Sequence, residues 1–467
     1  MSTAMRWRRP TITVWLALAV LLVTTGIAGA HQVADSRFAA PIPLAFLFGG
    51  AGVTVAATAL WLGVTAETAS TARAWRSRSR IPGGLAAGCR YGARAVFFAG
   101  FLVAVLHGLF GPQVDAENFA TVFTWAVWLK GIGLVSVLVG SPWRVLSPWR
   151  TLYDGLARLE GHEIAAVGAY PSWLGHWPAF VGFVVGIGAV ENLTVLPRSP
   201  AATAVIVAGY AATMVLGGVA FGHEWFRHAD ALSVLYRLFG RVAPVGFAGT
   251  DAGYRLALRP PWAGCTQRVR DVGLVAFVVA TVYTVSFDGF TSTAAYQTVL
   301  FDFRDALASG PTTSVLVYAI GLCGFVAAFV AVSAVMASVA AERSAWRETA
   351  LAFAPTVLPI AAAYEVADNY PFVIENVGRL AAIGWSITLS PIEPIEPLGW
   401  LTLQAFWGSQ VLLIVVGHVI AVVAAHHVAI GRYDTLTRAR RTHLPLVLMM
   451  VGYTVLSLWI ISRPVVA

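Results

Sequence analysis

Apolar runs of about 20 residues recur along nearly all of this 467-residue chain. Each such run is long enough to cross the ~30 Å hydrocarbon layer as a helix. The reading is therefore an all-α fold, a polytopic membrane helix bundle of about ten transmembrane helices after a signal or anchor segment. Composition agrees, with 58% hydrophobic and only 12% charged residues, against about 25% charged in soluble domains. The net charge of +8 raises nucleic acid as a partner. The arginines lie in short loops between apolar runs, however, which is a pattern of membrane topology, so the partner is the lipid bilayer and not nucleic acid.

The N-terminus has the layout of a secretory signal. Arg6, Arg8 and Arg9 precede an apolar stretch from Thr11 to Ala30 that ends Ala28-Gly29-Ala30, a small-x-small cleavage pattern. Residues 1–30 are thus a signal peptide or an N-terminal anchor, and 31–467 a single polytopic domain. The expected spans are 43–65, 92–111, 120–140, 177–197, 201–222, 271–289, 312–340, 350–368, 402–429 and 444–462. Arginines crowd every second loop: Arg73 to Arg94, Arg144 to Arg158, Arg227 to Arg270, Arg343 and Arg347, and Arg432 to Arg441. The alternate loops carry Asp115 and Glu117, Asp302 and Asp305, and Glu393 and Glu396. The positive-inside rule then predicts a plasma-membrane protein with the acidic loops, the mature N-terminus and the C-terminus outside.

Several segments need separate treatment. Residues 290–310 mix apolar and acidic side chains and are expected to form an amphipathic surface helix. Residues 371–401 carry Pro391, Pro394 and Pro397 and read as a re-entrant or surface segment. Pro355 and Pro359 should kink the eighth span just before Glu365 and Asp368. Ser141-Pro-Trp-Arg144 recurs as Ser147-Pro-Trp-Arg150. Each proline can start a short helix, with Trp and Arg anchoring it at the inner interface.

Polar residues inside the spans mark the candidate site. Lys130, the chain's only lysine, lies within ATVFTWAVWLKGIGLVSVLVG. A cation at mid-bilayer costs at least ~2.5 kcal/mol and normally needs a partner or a water-filled cavity. Glu191 or Glu365 can supply that partner. His107, Glu191, Asn192, Asp288, Glu365 and Asp368 all fall toward the outer halves of their spans, and His418 lies deep in the ninth. Two readings stand side by side: an ion pair that only fixes packing, and a polar cavity open to the outside.

The histidines form a second group. His418 and His426 share a helix face but stand about 12 Å apart, too far to hold one metal ion. A haem pair would need histidines on another helix, where only His107 is deep. His426 and His427 are expected to meet solvent or headgroups. Within GHEWFRHAD, His223, Glu224 and His228 miss the zinc-protease spacing by one residue. Cleavage after Ala30 would make His31 the new N-terminal residue. Its amine and imidazole, with His107 as companion, would suit Cu(II) or another divalent metal.

A run of ordered pieces then adds a resemblance. They are His31 with Pro41-Ile-Pro43, Val139 to Arg150, Trp225 to Asp230 with Leu235 to Pro244, Phe287 to Thr293, Gly417-His-Val419 with Ala425-His426, and the span after Leu444-Pro445. Together they resemble the fenitrothion hydrolase-like family of integral membrane proteins. The resemblance implies a polytopic fold and an organophosphate ester hydrolase activity, and brings no catalytic residues with it. The chain departs from the pattern near Ala363 to Tyr370, where a histidine is expected and Glu365, Asp368 and Asn369 stand. The function classes are thus ion or small polar solute transport, a membrane-embedded metal-dependent hydrolase using Asp288, His107 and Glu365, and a copper-handling or non-catalytic assembly subunit.

Overall fold

A computed structural model describes residues 44–65, 75–250, 253–308, 310–340, 346–387, 389–390 and 392–462. The signal or anchor segment and His31 lie outside them. Among the described residues nine helices are long and apolar enough to cross a membrane. They are α1 (Leu44–Thr65), α2 (Gly83–Phe110), α3 (Phe119–Val139), α6 (Pro200–Phe221), α8 (Val272–Thr291), α10 (Thr313–Val339), α11 (Trp346–Ser386), α12 (Leu403–Arg432) and α13 (Leu436–Ile461). Between them lie α4 (Pro148–Glu160), α5 (Trp177–Glu191), α7 (Ala231–Phe239) and α9 (Ala294–Leu307). The chain is a multi-pass, all-α membrane bundle.

Two expected spans differ in ways that matter for the site. The fourth, drawn over 177–197, is the shorter helix α5, which stops at Glu191. At ~1.5 Å per residue its 15 positions reach about 22 Å, short of a bilayer. The eighth, drawn to end at 368, continues as α11 to Ser386 with Pro371 inside it. Residues 371–386 are therefore helical, and most of their side chains are exposed or half-buried. Packing against neighbouring helices offsets the hydrogen bond that Pro371 removes. The two earlier prolines act as expected: Pro355 sits in a 3₁₀ turn, Ala354–Val357, and Pro359 opens the next helical stretch. Residues 294–307 form a helix that buries Tyr296 and Leu300.

Burial sorts the helices into layers. Every residue of α8 from Gly273 to Thr284 is buried, as suits a helix apolar on all sides. The part of α11 from Thr349 to Ala362 is similarly enclosed, whereas α1, α2 and α10 turn most side chains outward. α12 packs between α11 and α13, and α1 closes against both α12 and α13. The π-helical part of α3 rests on α11, and α5 rests on α7 and α8. The main apolar cluster among the described residues runs from Val55 on α1 to Met450 on α13.

The arginine-rich loops meet at one end of the bundle. Strand β1 (Trp75–Pro82) joins the hairpin β2 (Val245–Thr250) and β3 (Gly253–Leu258) in an antiparallel sheet of order β1-β3-β2. The sequence predicts no strands there, because β1 alternates arginine with serine and offers no apolar face, and β2 carries two glycines. Arg90 donates to the Tyr254 hydroxyl at 2.8 Å, and Arg94 pairs with Asp154 at 3.6 Å. Arg268 pairs with Glu348 at 3.2 Å, and Arg438 donates to the Ala340 carbonyl at 3.1 Å. Each contact joins two of the five loops that the charge alternation assigns to one side.

The repeated Ser-Pro-Trp unit resolves at the same end. Pro142 and Pro148 start helices Trp143–Leu146 and α4, as the sequence suggests. The tryptophans do not sit at an interface. Both are 1% exposed. Their indole N–H groups donate to one carboxylate oxygen, Asp230 Oδ2, at 3.1 Å from Trp143 and 2.9 Å from Trp149. Asp230 Oδ1 accepts from the Tyr210 hydroxyl at 2.9 Å and from the Leu232 N–H at 3.1 Å. A buried donor stripped of its acceptor costs about 1–3 kcal/mol. Asp230→Ala should therefore destabilise the protein by at least ~3 kcal/mol, and Asp230→Asn by less. Thermal unfolding in detergent, followed by tryptophan fluorescence, should show a clear drop in midpoint for the first variant. An unchanged midpoint would refute the role given to Asp230.

Candidate functional site

Lys130 lies midway along α3 and is 8% exposed. The stretch that carries it, Val122–Gly131, is π-helical. The end of α5, Val184–Glu191, is π-helical as well. Such wide turns are rare and concentrate at functional sites. The two stretches bring their last residues together, with Lys130 Nζ 3.1 Å from Glu191 Oε1. The partner is thus Glu191, delivered by a helix that ends inside the protein. α8 adds Asp288, whose Oδ2 is 3.9 Å from Nζ. α11 adds Glu365, which is 7% exposed. A methyl group built on Gly133 would stand 3.5 Å from Glu365 Oε1, so Glu365 lies against α3 at ordinary van der Waals distance.

Lys130, Asn192, Asp288 and Glu365 line one small cavity with Thr281 and Thr284. Its volume is about 20 Å³, room for a single water-sized body. Both side-chain polar atoms of Asn192 are buried without a hydrogen-bond partner among the described residues. Asp368 stands one turn beyond Glu365 and is held separately, accepting from Gln410 Nε2 at 2.9 Å. Four of the expected residues, Glu191, Asn192, Asp288 and Glu365, are therefore assembled around the Lys130 ammonium, and Asp368 adjoins them.

Two others are elsewhere. His107, half-buried at the end of α2, accepts the Phe119 N–H on Nδ1 at 3.2 Å and does not line the cavity. His418 is fully buried on α12 against Tyr453, with ring centroids 5.8 Å apart. Among the described residues no three His, Cys, Asp or Glu side chains group as metal ligands. The set Asp288, His107 and Glu365 is thus not assembled, because His107 is spent on a helix end. The His31–His107 copper pairing lies partly outside the described residues.

The arginine-rich end holds its own ionic contacts. His223 bridges Asp154 at 3.1 Å and Glu163 at 2.9 Å. Backbone and side-chain hydrogen bonds from His223 hold the Glu163 carboxyl below its usual range. Glu224 pairs with Arg227 and His228 along its own short helix.

Further polar neighbours follow a pattern visible in the sequence. Thr281, Thr284 and Asp288 follow i, i+3, i+7 spacing on α8, a polar stripe on one helix face. Thr284 shares a hydrogen bond of 2.7 Å with the Tyr318 hydroxyl. His443 was missed because the last span was drawn from Leu444. α13 instead begins at Leu436 behind the Thr435 cap. His443 is 5% exposed and faces His426, with ring centroids 5.3 Å apart. His426 itself is 1% exposed, so it meets neither solvent nor headgroups. His427 is half-buried and stacks on Trp262.

Energetics decide how the cluster is balanced. At 3.1 Å and an effective dielectric of 20, the Lys130–Glu191 attraction is about 5 kcal/mol. Desolvation costs several kcal/mol per ion, so one pair roughly offsets its own burial. Asp288 and Glu365 remain, and one ammonium does not neutralise three carboxylates. Lys130→Met should cost about 3–5 kcal/mol by stranding Glu191, and Lys130→Met with Glu191→Gln should recover most of that loss. Midpoints of thermal unfolding for the single and double variants test the pairing. Rescue by Glu365→Gln and not by Glu191→Gln would reassign it.

The comparisons add no relative to this geometry: no family model, no curated protein and no solved structure matches the chain.

Proposed function

We propose that this membrane protein is an ion transporter in which the Lys130 cluster binds a proton or a small monovalent cation. One observation carries the reading: three carboxylates, Glu191, Asp288 and Glu365, surround a single ammonium in or beside a cavity of about 20 Å³. The excess negative charge calls for one or two compensating positive charges. The volume suits a proton or a bare ion better than a polar solute of several heavy atoms. Lys130 then acts as an internal competitor that holds Glu191 and keeps the other acids close. Intramembrane ionisable groups of this kind mark ion pathways in general. A purely structural pair would need one acid, and a metal-dependent hydrolase would need a ligand set that the described residues do not group.

In this reading the arginine-rich end faces the cytoplasm across the plasma membrane, and the acidic loops face out. Orientation is tested in a background lacking Cys89, Cys265 and Cys323. Cysteines at Asp115 and Asp305 should react with an impermeant thiol reagent in intact cells, and one at Arg78 should not. Labelling at Arg78 alone would reverse the orientation.

Transport is tested with the purified chain in liposomes under imposed Na⁺, K⁺ or proton gradients. The wild type should move at least one of these ions above empty vesicles. Glu365→Gln and Asp288→Asn should lower that flux at least tenfold while unfolding midpoints hold. Flux equal to empty vesicles for all three ions would refute the reading.

A further inference from the structure

We propose that protons cross this protein by a polar path running from the Lys130 cluster through Tyr364, Ser286 and Tyr453 to a ladder of histidines, His418, then His426 with His443. The proposal rests on the ion-transport reading above and names the proton as its passenger.

The path starts on α11, where Tyr364 precedes Asp368 by four residues and so shares its helix face. A methyl group on Gly289 would be 3.9 Å from both Asp368 Oδ2 and the Tyr364 ring, so both lie over the same point of α8. Tyr364 is fully buried; its hydroxyl donates to the Ser457 carbonyl at 3.2 Å and has the Ser286 hydroxyl as a second neighbour. The Ser286 hydroxyl donates to the Tyr453 hydroxyl, which itself donates to the Val282 carbonyl at 2.9 Å, so both tyrosine hydroxyls rest on carbonyls and must turn to pass a proton on. The Tyr453 ring in turn stands 5.8 Å, centroid to centroid, from His418. Three helices thus contribute hydroxyls in sequence between the carboxylates and the first imidazole.

The histidines are poised to accept. His418 Nδ1 is 2.8 Å from the Ile414 carbonyl. A carbonyl can only accept, so Nδ1 carries the hydrogen and neutral His418 presents a lone pair on Nε2. That Nε2 is buried and has no hydrogen-bond partner among the described residues. His443 repeats the arrangement, with Nδ1 donating to the Ala439 carbonyl at 2.6 Å. Both ring nitrogens of His426, which faces His443, are buried and unpartnered among the described residues. Buried polar atoms in this condition normally hold water. His426 follows His418 by two turns of α12, about 12 Å further along the helix. His426 is further surrounded by His427 and Arg440, and α12 ends at Arg432. The ladder therefore leads to the arginine-rich end.

Each transfer is balanced without any other reactant. A carboxylic acid gives its proton to a hydroxyl oxygen, which passes on its own hydrogen. His418 Nε2 takes that proton and releases it to water, and the hydroxyls rotate back. No bond other than O–H and N–H is made or broken. Nothing in a packing role requires two buried imidazoles on one helix face with open nitrogens. Apolar side chains would fill the same space without the desolvation cost.

The test uses the purified full chain in liposomes loaded with pyranine, with a potassium diffusion potential set by valinomycin. The wild type should acidify or alkalinise the lumen according to the sign of the potential. Tyr453→Phe keeps the ring and removes the hydroxyl, and His418→Gln removes the open nitrogen. Each should lower the initial proton flux at least tenfold with the unfolding midpoint retained. Ser286→Ala serves if either variant fails to fold, with the same expectation. Wild-type flux in Tyr453→Phe, His418→Gln and Ser286→Ala, with Glu365→Gln inactive, would overturn the path and leave the carboxylate site standing. Na⁺ or K⁺ transport without proton flux would overturn proton passage alone. No flux of any ion would remove both readings.

Discussion

A single buried ammonium sets the terms for the centre of this bundle. Lys130 has to keep a carboxylate within about 3 Å, and meeting that requirement shapes three separate elements. α3 widens into a π-helix so that the side chain points into the protein. α5 terminates early, also through a π-helical stretch, so that Glu191 arrives at the right place. α11 passes close enough for Glu365 to lie over Gly133. The irregular backbone and the missing length of α5 are local departures from regular membrane helices, and both serve one contact. Non-helical chain at this depth is tolerable because protein covers it.

The two ends of the molecule are built by different means. At one end, sheet pairing and arginine contacts gather loops that are far apart in sequence, as in Arg90 with Tyr254 and Arg438 with Ala340. Exposed pairs of this kind contribute little stability individually. Their value is in register, since each loop fixes where the next helix starts. Toward the other end the acidic loops carry few such contacts among the described residues, and polar groups are concentrated inside the bundle. Between the two lies a sequence of hydroxyls and imidazoles on α8, α11, α12 and α13, set among close-packed apolar side chains.

Much of this was legible in the sequence, and the losses have physical causes. Apolar run length located nine long helices, because helix formation in lipid is close to obligatory. Lys130, Glu191, Asn192, Asp288 and Glu365 were identifiable, because ionisable residues are conspicuous in an apolar run. Their mutual geometry was not. Choosing Glu191 over Glu365 needs the early end of α5, and hydropathy alone reads through it to residue 197. α11 was cut short for the opposite reason: acids and Pro371 look like a helix end when packing is unknown. His107 was drawn into the cluster by depth alone, and its lateral position is invisible to a depth argument. His443 was lost to a boundary placed eight residues late, although Thr435 carries the cap that starts its helix. The sheet was hidden because β2 is rich in glycine and β1 is an arginine–serine run, and pairing between distant loops leaves no local pattern.

The doubled Ser-Pro-Trp unit shows how a copy can change its meaning. In sequence the two units look interchangeable, a local duplication in which one member could cover for the other. In the fold they are not spares. Trp143 and Trp149 approach the same oxygen of Asp230 from different turns of the chain, and each occupies a donor position the other does not reach. Duplication here produced division of labour and not redundancy. A chain that lost either tryptophan would leave Asp230 Oδ2 one donor short, and with it part of the geometry that ties the loop after α3 to the start of α7.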